Sequence, residues 1–307
     1  EMGFMSNGHS TAVNRAMSYF SQGSWYKELV EGIAFYQFLC AILKDYDTRK
    51  TEIIHKLQTI GQKIFRKAYL LADMTVDHEG MQICTKPLVS FAGKLYTAPM
   101  SAVDCAVKTI GTCPRHNEAF ITSGMVQYNA CAGNFGGSGM AYSGSMNVLK
   151  NVLGNEYLWN NVRVKGGAYG CMCGFAPSGN GYFTSYRDPN LAKTYDIYAN
   201  AADYVRSLTL DDRELTKYII GAVGAIDLPM TASMKGNRSL AAFLGERSFE
   251  QIQKNRDELL ATTVDDLRSL SKAVAAVIEA GHICVVGSES KITEEKDRFE
   301  YVAQLIQ

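Results

Sequence analysis

Apolar residues recur at helical steps through the first part of the chain. Leu29, Ile33, Tyr36, Cys40 and Leu43 fall three and four residues apart, which predicts an amphipathic helix over 24–43 with Ser24 as its N-cap. Behind Asp47 and Thr48 the residues Ile53, Ile54, Leu57, Ile60 and Ile64 keep that period as a second helix, and Tyr69 to Val76 reads as a strand. The C-terminal stretch repeats this order: a helix through 239–260, a capped helix from Thr263 carrying Leu267, Leu270, Val274 and Val277, then a strand over 282–286. With Gly8-His9-Ser10 at one entry and Gly236-Asn237-Arg238-Ser239 at the other, the repeated order predicts a weak internal duplication.

Glycine and proline punctuate 77–118, leaving room for a short helix over 88–95 and a linker. A strand is expected from Phe120 through Ala130, followed by the glycine-rich loop 133–139 and a helix from Ser143 or Ser145 that buries Met146, Leu149, Val152, Leu153 and Tyr157. That helix ends in Arg163-Val164-Lys165-Gly166-Gly167, where paired glycines suit a sharp turn into the next strand. In 168–175 the alternation places Tyr169, Cys171, Cys173 and Phe175 on one face and Ala168, Gly170, Met172 and Gly174 on the other, a bare face that something approaches closely. The loop 177–181 turns the chain into Tyr182 to Tyr186 as a hairpin, and Asp188 with Pro189 opens a helical region reaching Leu208. The mixture predicts an α+β fold, a mostly antiparallel sheet with helices packed on one side.

Length and charge narrow the partners. The 307 residues exceed one ordinary domain, so two units, or one and a part, are expected. A content of 47% hydrophobic and 20% charged residues is that of a folded globular chain. Lys plus Arg and Asp plus Glu both total 31, and no basic stripe interleaves with aromatics, so nucleic acid is not an expected partner. The longest apolar run, Ile33 to Leu43, is broken by Gln37 and too short to span a bilayer, so no membrane association is expected. Glu-Met-Gly-Phe-Met-Ser lacks a basic region followed by an apolar one, and reads as a cut inside a longer chain. Eight dispersed cysteines fit reduced thiols in a cytoplasm or organelle matrix.

The residues exclude several chemistries. Neither His-Glu-x-x-His nor His-x-x-Glu-His occurs, and the five histidines (His9, His55, His78, His116, His282) are scattered, so no metal ligand set is expected in this chain. Cys171 and Cys173 are too close for a structural zinc pair, and Cys113-Pro-Arg-His116 has no second pair; both read as packing or turn. The loop 133–139 lacks the Gly-Lys-Ser/Thr ending of a phosphate loop, and no Gly-x-Ser-x-Gly elbow occurs. Arg163 and Tyr169 remain. Composition alone reads the first as a helix C-terminal cation and the second as core.

The segment Tyr157-Leu-Trp-Asn-Asn-Val-Arg-Val-Lys-Gly-Gly-Ala-Tyr-Gly170, with Ser185-Tyr-Arg-Asp-Pro-Asn190, closely resembles the C-terminal half of presequence proteases. These belong to the pitrilysin and insulin-degrading group of inverted-motif zinc metallopeptidases. Val126-Gln127-Tyr128, Ile219-Ile220-Gly221 running to Asp227-Leu228-Pro229, and Gly8-His9-Ser10 with residues 32–39 extend the resemblance over nearly the whole chain. It implies homologous α+β metallopeptidase modules closing around a chamber. Residues 1–98 would be the C-terminal part of the third module, 99–114 a linker and 115–307 the fourth. Zinc would be held by the N-terminal half of the same polypeptide, and short unfolded peptides would be the substrates. Tyr169 and Arg163 map onto an active-site tyrosine and arginine, for oxyanion support and substrate anchoring. Lys165, Asn160 and Asn161 are weaker candidates for lining the substrate site. The alternative is a non-catalytic scaffold or peptide-binding subunit of the same fold.

Overall fold

The computed structural model describes residues 2–98 and 109–306. In chain order the helices are α1 (Met2–Ser6), α2 (Gly8–Ser18), α3 (Gln22–Glu31), α4 (Ile33–Lys44), α5 (Tyr46–Ile64) and α6 (His78–Ala92). Strands β1 (Glu118–Thr122) and β2 (Tyr128–Asn134) follow, then α7 (Ser145–Val152), which runs on as a π-helical stretch over Leu153–Val164. The hairpin of β3 (Gly170–Phe175) and β4 (Asn180–Tyr186) leads to α8 (Ala192–Ala199), α9 (Ala201–Arg206) and α10 (Asp212–Ile226). Next come α11 (Ala232–Leu244), α12 (Phe249–Leu260), α13 (Val264–Ser269), α14 (Ser271–Glu279), β5 (His282–Ser288), α15 (Glu289–Glu294) and β6 (Tyr301–Gln304). The described residues form two compact units: one within 1–36, 110–227 and 253–307, the other within 37–109 and 228–252.

The first unit is built on a six-stranded sheet in the order β3-β4-β2-β5-β1-β6. The pairs β3/β4, β4/β2 and β2/β5 are antiparallel, while β5/β1 and β1/β6 are parallel. Strand alternation sorts the core into two layers. On one face Ala119, Cys131, Cys173, Phe183 and Val285 meet Val148, Leu149, Tyr198, Val274 and Val277. On the other, Phe120, Tyr128, Ala130, Cys284 and Val286 meet Ala12, Ala16 and Tyr19. The α+β architecture is therefore the expected one, with an addition: α2 lies on the second face.

Under that second face a buried ion triad ties α2 and α3 to the sheet. The Arg15 guanidinium, 4% exposed, donates through Nε and Nη2 to Glu118 and through Nη1 to Glu28 at 3.0 Å. Asn14 donates to the second Glu28 oxygen at 2.7 Å. The carboxylates, Glu118 first, hold the Arg15 pKa above its ordinary value against the opposing effect of burial, which is the largest single influence.

Several boundaries differ from the sequence reading. The helix expected over 24–43 is two, α3 and α4, separated at Gly32, whose backbone is extended at φ −93° and ψ −160°. A side chain at 32 would lie 2.3 Å from the Glu28 carboxylate, so the triad occupies the space that a continuous helix surface would fill. The cap is Ser21, whose hydroxyl accepts from Ser24 N. The helix expected over 239–260 is likewise divided into α11 and α12, with Glu246 left-handed at φ 50° between them. The strand expected from Phe120 through Ala130 is two strands, each hydrogen-bonded to β5. At Thr263 the expected cap is present as a reciprocal capping box with Asp266.

In the second unit α5 forms as expected, but Tyr69–Val76 is not a strand: a 3-10 turn at Lys67–Tyr69 gives way to irregular backbone. A strand needs a hydrogen-bonding neighbour, and the only bridge among the described residues of this unit is Arg66 to Tyr96. The helix-helix-strand order is therefore not repeated. The helix expected over 88–95 is the longer α6, begun by Asp77, which accepts from Gly80 N at 2.7 Å. Most of the expected linker 99–114, residues 99–108, lies outside the described residues; so does Cys105.

Candidate functional site

Arg163 is aimed by an uncommon helix. After α7 the chain closes i→i+5 hydrogen bonds, the last being Lys165 N to Asn160 O at 3.0 Å. Four residues apart on this stretch, Trp159 and Arg163 stack, with the Arg163 guanidinium 4.0 Å from the Trp159 ring centroid. The buried side of the stretch is fixed by Leu153, Leu158 and Val162 and by Tyr157, whose hydroxyl donates to Ile197 O at 2.6 Å. Burial first of all, with Asp203 and Tyr204 adding, pushes that phenol up to about 12, so it stays protonated as a donor.

The helix turns sharply into the hairpin. Gly167 N bonds Arg163 O at 2.8 Å and Ala168 N bonds Val162 O at 3.1 Å, with Gly167 at φ 85°, where only glycine is unstrained. A side chain on Gly166 would lie 2.3 Å from Val162 O. Tyr169 follows immediately. It does not join Cys171, Cys173 and Phe175 in the core, as strict alternation would require. β3 starts only at Gly170, and Tyr169 is 66% exposed, its ring 5.7 Å from the Arg163 guanidinium and 5.8 Å from the Tyr186 ring.

The bare face of β3 is filled from within the sheet. Gly170 pairs with Tyr186 and Gly174 with Tyr182, and residues directly opposite in an antiparallel pair share a face. A side chain at 174 would lie 2.5 Å from the Tyr182 ring. Tyrosines of β4 are thus what approaches that backbone closely. Tyr186 continues the aromatic row to Tyr128, at 5.6 Å, and to His9, at 5.0 Å. Burial lowers the His9 pKa, and its buried Nδ1 has no hydrogen-bond partner among the described residues.

Asp188 is the hub behind the turn. Instead of capping a helix, which begins only at Ala192, it is fully buried. Its Oδ1 accepts from Asn190 N at 2.9 Å, and its Oδ2 from Thr194 Oγ1 at 2.7 Å and Asn129 Nδ2 at 3.2 Å. Its backbone exchanges hydrogen bonds with Gln127 at 2.7 and 2.9 Å. Asn190 passes the restraint on, donating to Gly166 O at 2.6 Å, so the turn between Arg163 and Tyr169 is held from a buried carboxylate.

The other expected lining residues sit at the same helix end. Asn160 and Asn161 donate back to Glu156 O and Tyr157 O at 2.7 and 2.8 Å, and Lys165 donates to Asn161 Oδ1 at 3.4 Å. Their amides are engaged with the helix itself. Sequence reasoning missed Trp159, Tyr186 and Arg187 as part of this surface, although all three lie in the very segments that carry the resemblance. Burial disfavours the thiolate at the nearby cysteines, pushing Cys171 up to about 11 and Cys173 up to about 12. Among the described residues no three His, Cys, Asp or Glu side chains converge. Two histidines that do approach each other, His116 and His282, form a stacked pair at 5.8 Å, so these residues do not fit a catalytic zinc ion.

Two family descriptions match the chain: PreP C-terminal domain over residues 117–291, and a second, peptidase-associated family over residues 1–42. Protein HypA of Clostridium perfringens is 33% identical over 309 residues, a match covering 98% of this chain and 30% of that protein. Presequence protease 1, chloroplastic/mitochondrial, of Arabidopsis thaliana is 32% identical over 287 residues, covering 93% and 26%. The chain thus spans less than a third of the length of these relatives. A protease from Helicobacter pylori of solved structure aligns with a TM-score of 0.47 at 13% identity, covering 69% of this chain and 52% of that one.

Proposed function

The chain belongs to the PreP C-terminal domain family, and on that premise we propose that it is the C-terminal, zinc-free half of a zinc metalloendopeptidase that degrades short unfolded peptides in an enclosed chamber. On this reading residues 1–98 are the end of the third module, 99–114 a linker and 115–307 the fourth module. The zinc belongs to the N-terminal half of the same polypeptide, in a cytoplasm or organelle matrix. What this chain supplies is charge and hydrogen bonding. The Tyr169 hydroxyl donates to the peptide carbonyl oxygen as negative charge develops there, and the Arg163 fork holds a substrate carbonyl or carboxylate. Lys165, Asn160 and Asn161 line the same end.

The observation that carries the reading is the stack of Trp159, Arg163 and Tyr169: an exposed phenol beside a half-buried cation that forms no salt bridge among the described residues, braced by a π-helix and a double-glycine turn. The isolated chain should be inactive, and the N-terminal half should restore cleavage of a quenched-fluorescence peptide. Tyr169→Phe should then lower kcat about 10²- to 10³-fold, the cost of one oxyanion donor. Arg163→Ala should also depress turnover, with the unfolding midpoint unchanged in both. Full turnover in both variants would refute the roles given to Tyr169 and Arg163, and loss of the zinc motif upstream would favour the non-catalytic scaffold.

A further inference from the structure

We propose that Arg187 is a second substrate-contacting guanidinium, and that Arg163 and Arg187 together make this face select peptides that carry a carboxylate, on an acidic side chain or at a free C-terminus. The inference rests on the peptidase reading above and names the substrate class of that site.

Arg187 follows the last residue of β4, where alternation would send it to the opposite face from Tyr186. Its backbone is instead left-handed, at φ 48°, a region costly for a long L side chain. The guanidinium lies over the Tyr186 ring at 5.4 Å, the same ring that Tyr169 meets. The conformation is imposed from both sides: Arg187 O accepts from Tyr169 N at 3.3 Å, and the next residue is the buried hub Asp188. The guanidinium also hydrogen-bonds the Tyr128 hydroxyl.

The two tyrosines Tyr169 and Tyr186 therefore have a guanidinium on either flank. Arg163, Tyr169, Tyr186 and Arg187 follow one another with no step longer than 5.8 Å. Neither arginine forms a salt bridge with a carboxylate among the described residues. Asp188, the neighbour that could neutralise Arg187, is turned inward to Asn129, Asn190 and Thr194. Two uncompensated forks flanking a phenol suit a bound anion with several acceptor lone pairs, and in a peptide that group is a carboxylate.

The test uses the full-length protein and paired quenched peptides that differ only in Glu against Gln, or in a free against an amidated C-terminus. Arg187→Asn removes the cation with a residue that tolerates the left-handed backbone. It should lower kcat/KM about tenfold more for the carboxylate peptide than for its amide partner, the size of one charge-assisted hydrogen bond. Arg187→Lys, which keeps charge without the fork, should lose part of the preference. Whichever peptide pair responds identifies the carboxylate recognised. Equal losses within both pairs, or none, would overturn the proposal. If Arg187→Asn does not fold, the Lys variant decides on the same readout. Titrating the peptides against Trp159 fluorescence separates this inference from the one beneath it. Carboxylate-selective binding that Arg187→Asn abolishes, without cleavage in the wild type, sinks the peptidase reading alone. Cleavage that depends on Tyr169 but shows no carboxylate preference sinks this one alone.

Discussion

Replacing Asp188 by Asn tests whether a buried carboxylate positions the turn between Arg163 and Tyr169. The change is nearly isosteric, so its cost comes from hydrogen bonding. Four donors meet the carboxylate: Asn190 N and Nδ2 at 2.9 and 3.4 Å on Oδ1, Thr194 Oγ1 and Asn129 Nδ2 at 2.7 and 3.2 Å on Oδ2. An amide keeps one oxygen and turns an NH2 toward the other pair. Placed at the Oδ2 position, the NH2 leaves Asn129 facing a donor, while the Thr194 hydroxyl can rotate to accept. The net loss is about one charge-assisted bond and the charge that strengthened the rest, roughly 2–3 kcal/mol. Asp188→Ala removes all four acceptor contacts and leaves a cavity, so it should cost about 4–5 kcal/mol. Urea unfolding followed by circular dichroism measures both. In the reconstituted enzyme, kcat for Asp188→Asn should fall even where the protein is fully folded, because the bonds from Asn190 to Oδ1 lose the charge that strengthened them and hold Asn190 on Gly166 O less firmly. A cost below about 1 kcal/mol for Asn, or unchanged turnover, would refute the positioning role.

Three further outcomes follow from the same structure. Arg15→Met strands Glu28 and Glu118 in the core and should destabilise by about 3–5 kcal/mol, whereas apolar replacement of all three should be close to neutral, compared by urea midpoint. Burial, helped by His116, lowers the His282 pKa, so the folded state binds protons less readily than the unfolded one. Stability is then fully present above the ordinary value of 6.5 and is lost as pH falls through the lowered one; His282→Gln should flatten that part of the pH dependence of urea unfolding. Cys131 and Cys173, both buried and pushed up to about 12, should resist iodoacetamide at pH 8 in the native protein, while the half-buried Cys40 and Cys84 label first, read by peptide mass mapping.

Much of the candidate site is legible in the residues because its determinants are close in sequence. The helix carrying Leu149, Val152 and Leu153 inward, the double-glycine turn and the hairpin all declare themselves within a few residues, through periodicity and turn chemistry. Less local features mislead. The stripe from Leu29 to Leu43 reads as one helix, yet the chain breaks at Gly32, where the Glu28 carboxylate held by Arg15 leaves no room for a side chain. Asp188-Pro189 has the composition of a helix start, but its side chain is claimed by Asn129, 59 residues away.

Residue order alone therefore specifies most of the helices, the hairpin, the capping box at Thr263 and, through the resemblance of residues 157–190, where an arginine and a tyrosine with a shared purpose should lie. What those residues face is settled only by tertiary assembly. Strand order set Tyr182 and Tyr186 over the glycines of β3, drew Tyr169 out of the core alternation, and brought Arg187 onto the same row by a left-handed turn. It also paired Arg15 with Glu118 across 103 residues. The physical reason is one of range. Backbone periodicity is a local property that a chain displays along its length, whereas burial and charge pairing depend on neighbours that meet only when the sheet has assembled.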